Sequence, residues 1–140
     1  MKKLLTFSLL FASAFLLGVT AQAESKKIVL IAGTRSHGFG SHEHKAGCML
    51  LAKSLKDSGI CGITTEVVTG RWPKDESVLD DADCILMYCD GGGRHFANPN
   101  LPTIDKLANK GVGIVCIHYG VEVPKGESGD RFLNWIGGYF

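Results

Sequence analysis

The sequence predicts an α/β domain built around a parallel β-sheet, on three observations. Short apolar runs recur along the chain, segments with helical periodicity lie between them, and loops rich in glycine and polar residues follow the runs. A continuous apolar run is typical of a strand that is buried on both faces. Strands that alternate with helices pair in parallel through right-handed crossovers. Among such folds, this order favours a doubly wound, flavodoxin-like sheet.

The first strand and the first helix carry the clearest patterns. Residues 28–32 read Ile-Val-Leu-Ile-Ala, and a loop that contains glycine and histidine follows them. We expect a helix over 42–58, because its apolar residues recur at helical spacing. Ser41 is the expected N-cap, Glu43 suits the positive end of the helix dipole, and Gly59 ends the helix. The shared apolar face consists of Cys48, Leu51, Ala52 and Leu55.

The remaining elements continue the alternation. Further strands are predicted over 63–68, 83–88 and 112–117, and a helical turn over 75–79. A short helix over 102–110 is opened by a proline and closed by Gly111. A last helix is expected over 130–139, where aromatic residues are frequent.

The chain ends in an apolar, aromatic segment, residues 132–140, and not in a polar tail. Four strands are also fewer than doubly wound sheets commonly contain. We therefore expect a domain that is truncated at its C-terminus. The alternative is a dimer that buries these side chains.

Residues 1–23 have the three parts of a cleavable signal peptide. Lys2 and Lys3 precede an apolar run, and small residues at Ala21 and Ala23 form a cleavage pattern. The alternative, an uncleaved membrane anchor, is less favoured because the apolar run is short for a span. We expect export to the periplasm or the extracellular space, no stable membrane insertion after cleavage, and a working domain over 24–140.

Charge and composition exclude some partners. Two of the fifteen basic residues lie in the signal peptide, so thirteen remain against fourteen acidic ones. No basic stripe is present, which argues against nucleic acid as a partner. After the signal peptide 117 residues remain, enough for one domain with one core.

Five cysteines follow residue 23, in spacings that match no zinc ribbon and no Cys-x-x-Cys motif. Cys84 and Cys116 lie in strand-like runs, and Cys48 lies on the apolar helix face. Most of the five are therefore expected to be small buried hydrophobic residues. A disulfide between Cys48 and Cys61 is the alternative in an exported protein.

The loops after the strands are the expected place for a site, because ligands of open parallel sheets bind at the carboxyl ends of the strands. All five histidines belong to these loops or to the residues just after them. The catalytic candidates are His118, His95 and Asp90. The candidate ligands for a divalent metal are His37, His42, His44 and Glu43, since imidazole and carboxylate groups bind such ions.

Two limits apply to these candidates. His42 and His44 point to different faces of a helix, so both reach one metal only if the helix begins later than residue 42. A strand-end histidine such as His118 sits where an elbow presents a reactive side chain, although it could also serve only as a local hydrogen-bonding group.

Substrate-binding candidates lie beside the histidines. The glycines Gly91, Gly92 and Gly93 could offer amides to ligand oxygens, or could form a flexible turn. Arg94 suits hydroxyl or carboxylate groups, and Tyr119 adjoins His118. Arg71 and Trp72 could form an aromatic platform with a cation, or a packed turn. No G-x-G-x-x-G motif opens the first helix, so no nucleotide cofactor is expected.

Four stretches of the chain together resemble the ThuA-like (trehalose utilisation) family. They are Lys-Ile-Val-Leu-Ile-Ala-Gly-Thr-Arg-Ser-His-Gly from Lys27, His-Glu-His from His42, Tyr-Cys-Asp-Gly-Gly-Gly-Arg-His from Tyr88, and Gly-Ile-Val-Cys-Ile-His-Tyr-Gly from Gly113. The resemblance covers residues 26–140 and matches the N-terminal portion of the usual domain. It implies a class I glutamine amidotransferase-like fold, which is a relative of the flavodoxin-like fold.

The resemblance also bears on the chemistry. Glutamine amidotransferases carry a nucleophilic cysteine in the elbow after this strand, where the present chain has His118. Cys116 lies two residues earlier, inside the strand, so amidotransferase activity is not expected. The family implies sugar utilisation and a metal-assisted site, carried over only to His37, His42 or His44, Glu43, Asp90, His95 and His118.

Three hypotheses about function follow from the sequence. The first is an exported enzyme, hydrolase- or isomerase-like, that acts on a small-molecule carbohydrate or its keto derivative with a divalent metal. The second is a non-catalytic sugar-binding or accessory module, which the absent cysteine nucleophile favours. The third is a thiol hydrolase that uses Cys116 or Cys89.

Overall fold

The computed structural model describes residues 24–140, which form an α/β fold with a four-stranded, all-parallel sheet and three α-helices. The strands are β1 (Lys26–Ala32), β2 (Ile63–Thr69), β3 (Cys84–Tyr88) and β4 (Gly113–Ile117), and the helices are α1 (His44–Asp57), α2 (Leu101–Asn109) and α3 (Glu127–Ile136). Short 3₁₀ turns lie at Glu76–Leu79, Gly92–Arg94, Asn98–Asn100 and His118–Val121. The predicted parallel sheet is confirmed. The predicted signal peptide lies outside the described residues.

The strand order is β2-β1-β3-β4, so β1 and β3 are the central strands. Their registers pair Ala32 with Thr69 and with Tyr88, and Tyr88 with Ile117. The four strands therefore end at one level, and their loops emerge along one edge. This order is compatible with a flavodoxin-like arrangement, in which the second strand pairs on one side of the first strand and the third strand pairs on the other side.

The core has two halves, because successive side chains of a strand point to opposite faces of the sheet. Leu30 and Leu86 pack beneath α1, against its buried Cys48. The other face carries the larger cluster, in which Ile31 and Met87 share a core with side chains of α2 and α3. Helices thus cover both faces, which agrees with strands that read as continuous apolar runs.

The start of α1 differs from the sequence prediction. The helix begins at His44 and not at 42, and Ser41 is not its N-cap, since Glu43 occupies that position without a side-chain cap. The reason is His42, whose φ of 47° lies in the left-handed region and cannot belong to a right-handed helix. Gly59 has a φ of 75° directly after the helix, as expected of a terminating glycine.

The C-terminal segment begins its helix earlier than predicted, since α3 starts at Glu127. Phe132 is fully buried, and the Trp135 indole N–H donates a 2.8 Å hydrogen bond to Asp105. The backbone of Phe140 pairs with Val121 and Val123. Part of this apolar segment therefore packs on the described domain, and the truncation of the domain stays a prediction. Among residues 24–140, no helix is both long and apolar enough to cross a membrane.

Replacing Phe132 with alanine should lower the free energy of unfolding by about 3–5 kcal/mol, because it leaves a cavity beneath α3. Leu133→Ala is the matched control on the same helix, since Leu133 is 53% exposed and should cost less than about 1 kcal/mol. Denaturant unfolding followed by circular dichroism measures both changes. Equal losses in the two variants would contradict the packing of α3 described here.

Candidate functional site

The loops at the carboxyl edge of the sheet are tied together by backbone hydrogen bonds. The Gly33 amide donates to the Tyr88 carbonyl at 2.8 Å, which joins the loop after β1 to the end of β3. The amides of Gly70 and Arg71 both donate to the Ala32 carbonyl, at 3.1 and 3.0 Å. The sheet thereby fixes the starting points from which the site residues project.

Four histidines, which we call the histidine cluster, gather at this edge: His37, His42, His44 and His118. The His42 ring lies at the centre, with ring centroids 4.0 Å from His37, 5.1 Å from His118 and 5.9 Å from His44. Tyr119 adjoins the cluster, with its ring 5.5 Å from that of His42. The sequence predicted that these residues meet, and the structure brings them together.

Asp90 is the carboxylate of the cluster. Its Oδ1 lies 2.8 Å from His42 Nδ1 and 3.6 Å from His44 Nε2. Partial burial opposes ionisation of Asp90, but hydrogen bonds from Ser36 and His42 outweigh it and hold the pKa of the carboxyl below its usual range. A negative charge therefore faces the imidazole rings at neutral pH.

Three of these residues could hold a metal ion. The nearest ligand atoms of His37, His42 and Asp90 all lie within 4.8 Å of one another. Two imidazoles and one carboxylate form a donor set that suits divalent zinc and other first-row metals. Two of the four predicted metal ligands, His37 and His42, belong to this group, and its third member is Asp90, which the sequence predicts as a catalytic residue.

The other two metal candidates lie outside that group of three. His44 is buried, with its Nδ1 3.0 Å from the Thr34 carbonyl, and Glu43 accepts a hydrogen bond from the Gly40 amide at 3.1 Å. Because α1 begins late, His42 and His44 nevertheless face the same carboxylate. The buried His44 ring thus lies beside the Asp90 carboxylate. The Glu43 carboxylate instead stabilises the loop before α1 through its hydrogen bond from the Gly40 amide.

His118 occupies a sharp elbow directly after β4. Its φ is 55°, in the region that non-glycine residues rarely adopt, and its side chain is exposed. Two residues on, a Cβ added at Gly120 would come within 2.7 Å of the Met87 carbonyl oxygen, so only glycine fits there. The chain therefore turns tightly against β3 and presents His118 toward the cluster.

His95, a predicted catalytic residue, does not join the cluster. It is 1% exposed, its Nε2 lies 3.0 Å from the Gly120 carbonyl, and its Nδ1 accepts the Ala97 amide at 2.9 Å. Both nitrogens are thus engaged by backbone, which is the arrangement of a buried structural histidine. Burial lowers the pKa of the ring, so it is held neutral.

Two of the three predicted substrate-binding glycines, Gly91 and Gly92, pack against the loop after β4. A Cβ at Gly91 would come within 2.3 Å of the Glu122 side chain, and the Gly92 amide donates to the Glu122 carbonyl at 2.8 Å. The glycines let the loops after β3 and β4 approach each other, so the Gly92 amide is not free for a ligand. Gly93 meets open space and contributes no such contact.

Trp72 belongs to a packed turn. Its indole N–H donates to Glu76 at 2.6 Å, and its ring lies 6.1 Å from that of Phe96. Arg71 and Arg94, in contrast, line a cavity of about 260 Å³ between the loops. Arg35 lines the same cavity and was not among the predicted site residues, although its place in the loop after β1 was a signal that could have found it.

All five cysteines are free thiols in the structure, and the alternative disulfide is absent from the described residues: Cys48 is buried and Cys61 is exposed. Burial raises the pKa of Cys89 and of Cys116 to about 12. Neither thiol supplies a thiolate at neutral pH, which argues against the hypothesis of a thiol hydrolase.

The fold and the site together define an α/β protein with a histidine- and aspartate-containing site at the carboxyl edge of a parallel sheet. Comparisons of the chain with protein-family models, with curated proteins and with solved structures found no match.

The stability of the fold should fall in mild acid because of His95. Its pKa is lower in the folded than in the unfolded state, so stability is complete above about pH 6.5 and declines as the pH falls through the folded-state pKa. Denaturant unfolding at pH 7.5 and 5.5 should show a smaller acid loss in His95→Gln than in the parent chain. An unchanged acid loss in the variant would contradict this account, and exposed His37→Gln is the control.

Thiol accessibility should separate the five cysteines. Under native conditions, an aromatic disulfide reagent should react rapidly with exposed Cys61, while buried Cys48 and Cys89 react only after denaturation. Cys61→Ser should remove the rapid phase and leave the slow phases unchanged. A rapid phase that survives in this variant would show that a buried thiol is accessible.

Proposed function

We propose that this chain is an exported, ThuA-like protein of carbohydrate utilisation with a flavodoxin-like fold. It acts on a sugar or keto-sugar derivative at a metal-dependent, histidine-rich site, and it has no glutamine amidotransferase activity. The resemblance of its strand-end motifs supports the family and the sugar substrate. The metal-dependent chemistry rests on the geometry of the residues themselves.

One observation carries the proposal. The ligand atoms of His37, His42 and Asp90 lie within 4.8 Å of one another, and the ring of His118 lies 5.1 Å from that of His42. A metal-ligand group thus stands beside an exposed histidine on a strained elbow. That combination suits a reaction in which one group polarises an oxygen and another moves a proton.

Each residue then has a defined part. A divalent ion bound by His37, His42 and Asp90 would supply a Lewis acid for a hydroxyl or carbonyl oxygen of the sugar. His118 transfers the proton, because imidazole is the most common general acid–base group of enzymes and the elbow points its ring at the cluster. Tyr119 lies beside both rings and positions His118, with ring centroids 4.4 Å apart.

The cysteines support the absence of amidotransferase activity. The elbow after β4 carries His118, and Cys116 lies two residues earlier on the strand with its pKa raised to about 12 by burial. Gly120 packs directly against the backbone of β3, which fixes the turn after β4. Cys116 could occupy the exposed position of His118 only if this turn changed its conformation.

Metal binding tests the site directly. Zinc or manganese titrated into the chelator-treated protein should bind at one site by calorimetry. Asp90→Asn or His42→Asn should weaken binding about 100-fold, because even the loss of a group that only supports a ligand commonly costs about 10–100-fold. Asparagine at residue 42 tolerates the left-handed backbone. Glu43→Gln is the matched control, because that carboxylate lies in the same loop but outside the group of three. Equal binding by Asp90→Asn and the parent chain would overturn the proposed site.

Turnover separates the enzyme from the alternative, a non-catalytic sugar-binding module. With disaccharides and their keto derivatives as substrates, His118→Asn should lower the rate about 10²–10⁴-fold and leave metal affinity unchanged. Sugar binding without metal-dependent turnover in the parent chain would favour the module instead.

A further inference from the structure

A cavity of about 260 Å³ opens beside the histidine cluster, at the switch point between β1 and β3. Gly33 and Cys89, which follow these two strands, contribute to its wall. The volume is slightly below the range of roughly 300–1,000 Å³ that is usual for ligand pockets. The cavity therefore suits one monosaccharide unit or one end of a longer ligand.

Three arginines line this cavity, and each comes from a different loop. Arg35 follows β1, Arg71 follows β2 and Arg94 ends the 3₁₀ turn after β3. The chain has four arginines, and the fourth, Arg131 on α3, pairs with Asp105 on α2. Among residues 24–140, none of the three cavity arginines has a carboxylate partner within salt-bridge distance.

Two of the three arginines donate side-chain hydrogen bonds to backbone carbonyls. Arg71 Nη2 donates to the Arg94 carbonyl at 2.9 Å, and Arg35 Nε donates to the His37 carbonyl at 3.4 Å. Arg71 also has a φ of 110°, a conformation that an arginine rarely adopts. Backbone carbonyls thus hold two of the three guanidinium groups at the cavity wall.

Asp90 is the one acidic residue of the cavity wall, and its charge is directed at His42 and His44. The guanidinium groups therefore keep an excess of positive charge toward the cavity. Planar guanidinium groups match the paired oxygens of a carboxylate or phosphate group. Because Asp90 also belongs to the candidate metal group, a ligand anchored among the arginines would lie next to that group.

We propose that this cavity binds the anionic group of an acidic sugar, a carboxylate or a phosphate, and so sets the substrate class of the site. The inference rests on the proposed function for the sugar part of the ligand. The arginines hold the acidic end, and the histidine cluster then faces the neighbouring hydroxyl or carbonyl groups. Neutral sugars lack the group that the cavity recognises.

Calorimetry with glucuronate, glucose 6-phosphate and glucose on the full chain tests this inference. At least one acidic sugar should bind at least tenfold more tightly than glucose, since a hydrogen bond to a charged group is commonly worth that factor. A preference for glucuronate identifies a carboxylate ligand, and a preference for glucose 6-phosphate identifies a phosphate ligand. Titrations in the presence of a chelator separate this result from any failure of the metal site.

Substitutions locate the anion. Arg35→Gln and Arg94→Gln should each weaken binding of the preferred acidic sugar roughly tenfold. Lys125→Gln, which removes an exposed positive charge away from the cavity, should leave it unchanged. Circular dichroism of each variant confirms that it is folded. Glucose binding as tightly as both acidic sugars, or unchanged affinity in the Arg35→Gln/Arg94→Gln double variant, would overturn the inference.

Discussion

The pairing of β1 with β3 is the constraint on which the rest of the structure depends. These central strands run in parallel with Ala32 opposite Tyr88. The Gly33 amide donates the last hydrogen bond between them to the Tyr88 carbonyl. The loop that carries His37 and His42 therefore starts beside the residue that leads to Asp90. Without this register, the carboxylate and the imidazoles would belong to separate surfaces. The core supports the pairing from both faces, because helices cover the two sides of the sheet.

Asp90 connects the two halves of the edge. It contacts His42 and His44 on one side and lines the arginine cavity on the other. The histidines around Asp90 can donate electron pairs to a metal ion, and the arginines are cations that can bind an anion. The edge therefore offers metal ligands and anion-binding groups on either side of one carboxylate. A ligand with an acidic group and adjacent oxygens would satisfy both. The strand order contributes to this arrangement, since the loop after β2 supplies Arg71 and the loop after β4 supplies His118 on opposite sides of the central pair.

The sequence predicted the strands well because buried parallel strands are continuous apolar runs. It placed all five histidines at one edge because parallel strands share a carboxyl edge, and four of the five meet there. It did not predict the start of α1, since the left-handed conformation of His42 arises from tertiary contacts with Asp90 and not from local propensity. The burial of His95 could not be predicted from the sequence either, because its hydrogen-bond partners are backbone groups of Ala97 and Gly120. Arg35 was missed because one loop arginine is unremarkable until two others are seen beside it.

Backbone strain marks the same edge. Within residues 24–140, the non-glycine residues with positive φ are His42, Arg71 and His118, each in a different loop. Such conformations cost on the order of 1–3 kcal/mol apiece, and persist only where surrounding contacts fix them. His42 is fixed by Asp90, Arg71 by its bonds to Ala32 and Arg94, and His118 by the tight turn at Gly120. A fold that only needed connections between strands would place glycine at these positions, as it does elsewhere in the chain. The side chains kept there are two imidazoles and a guanidinium group, which are the groups that the proposed chemistry and anion binding require.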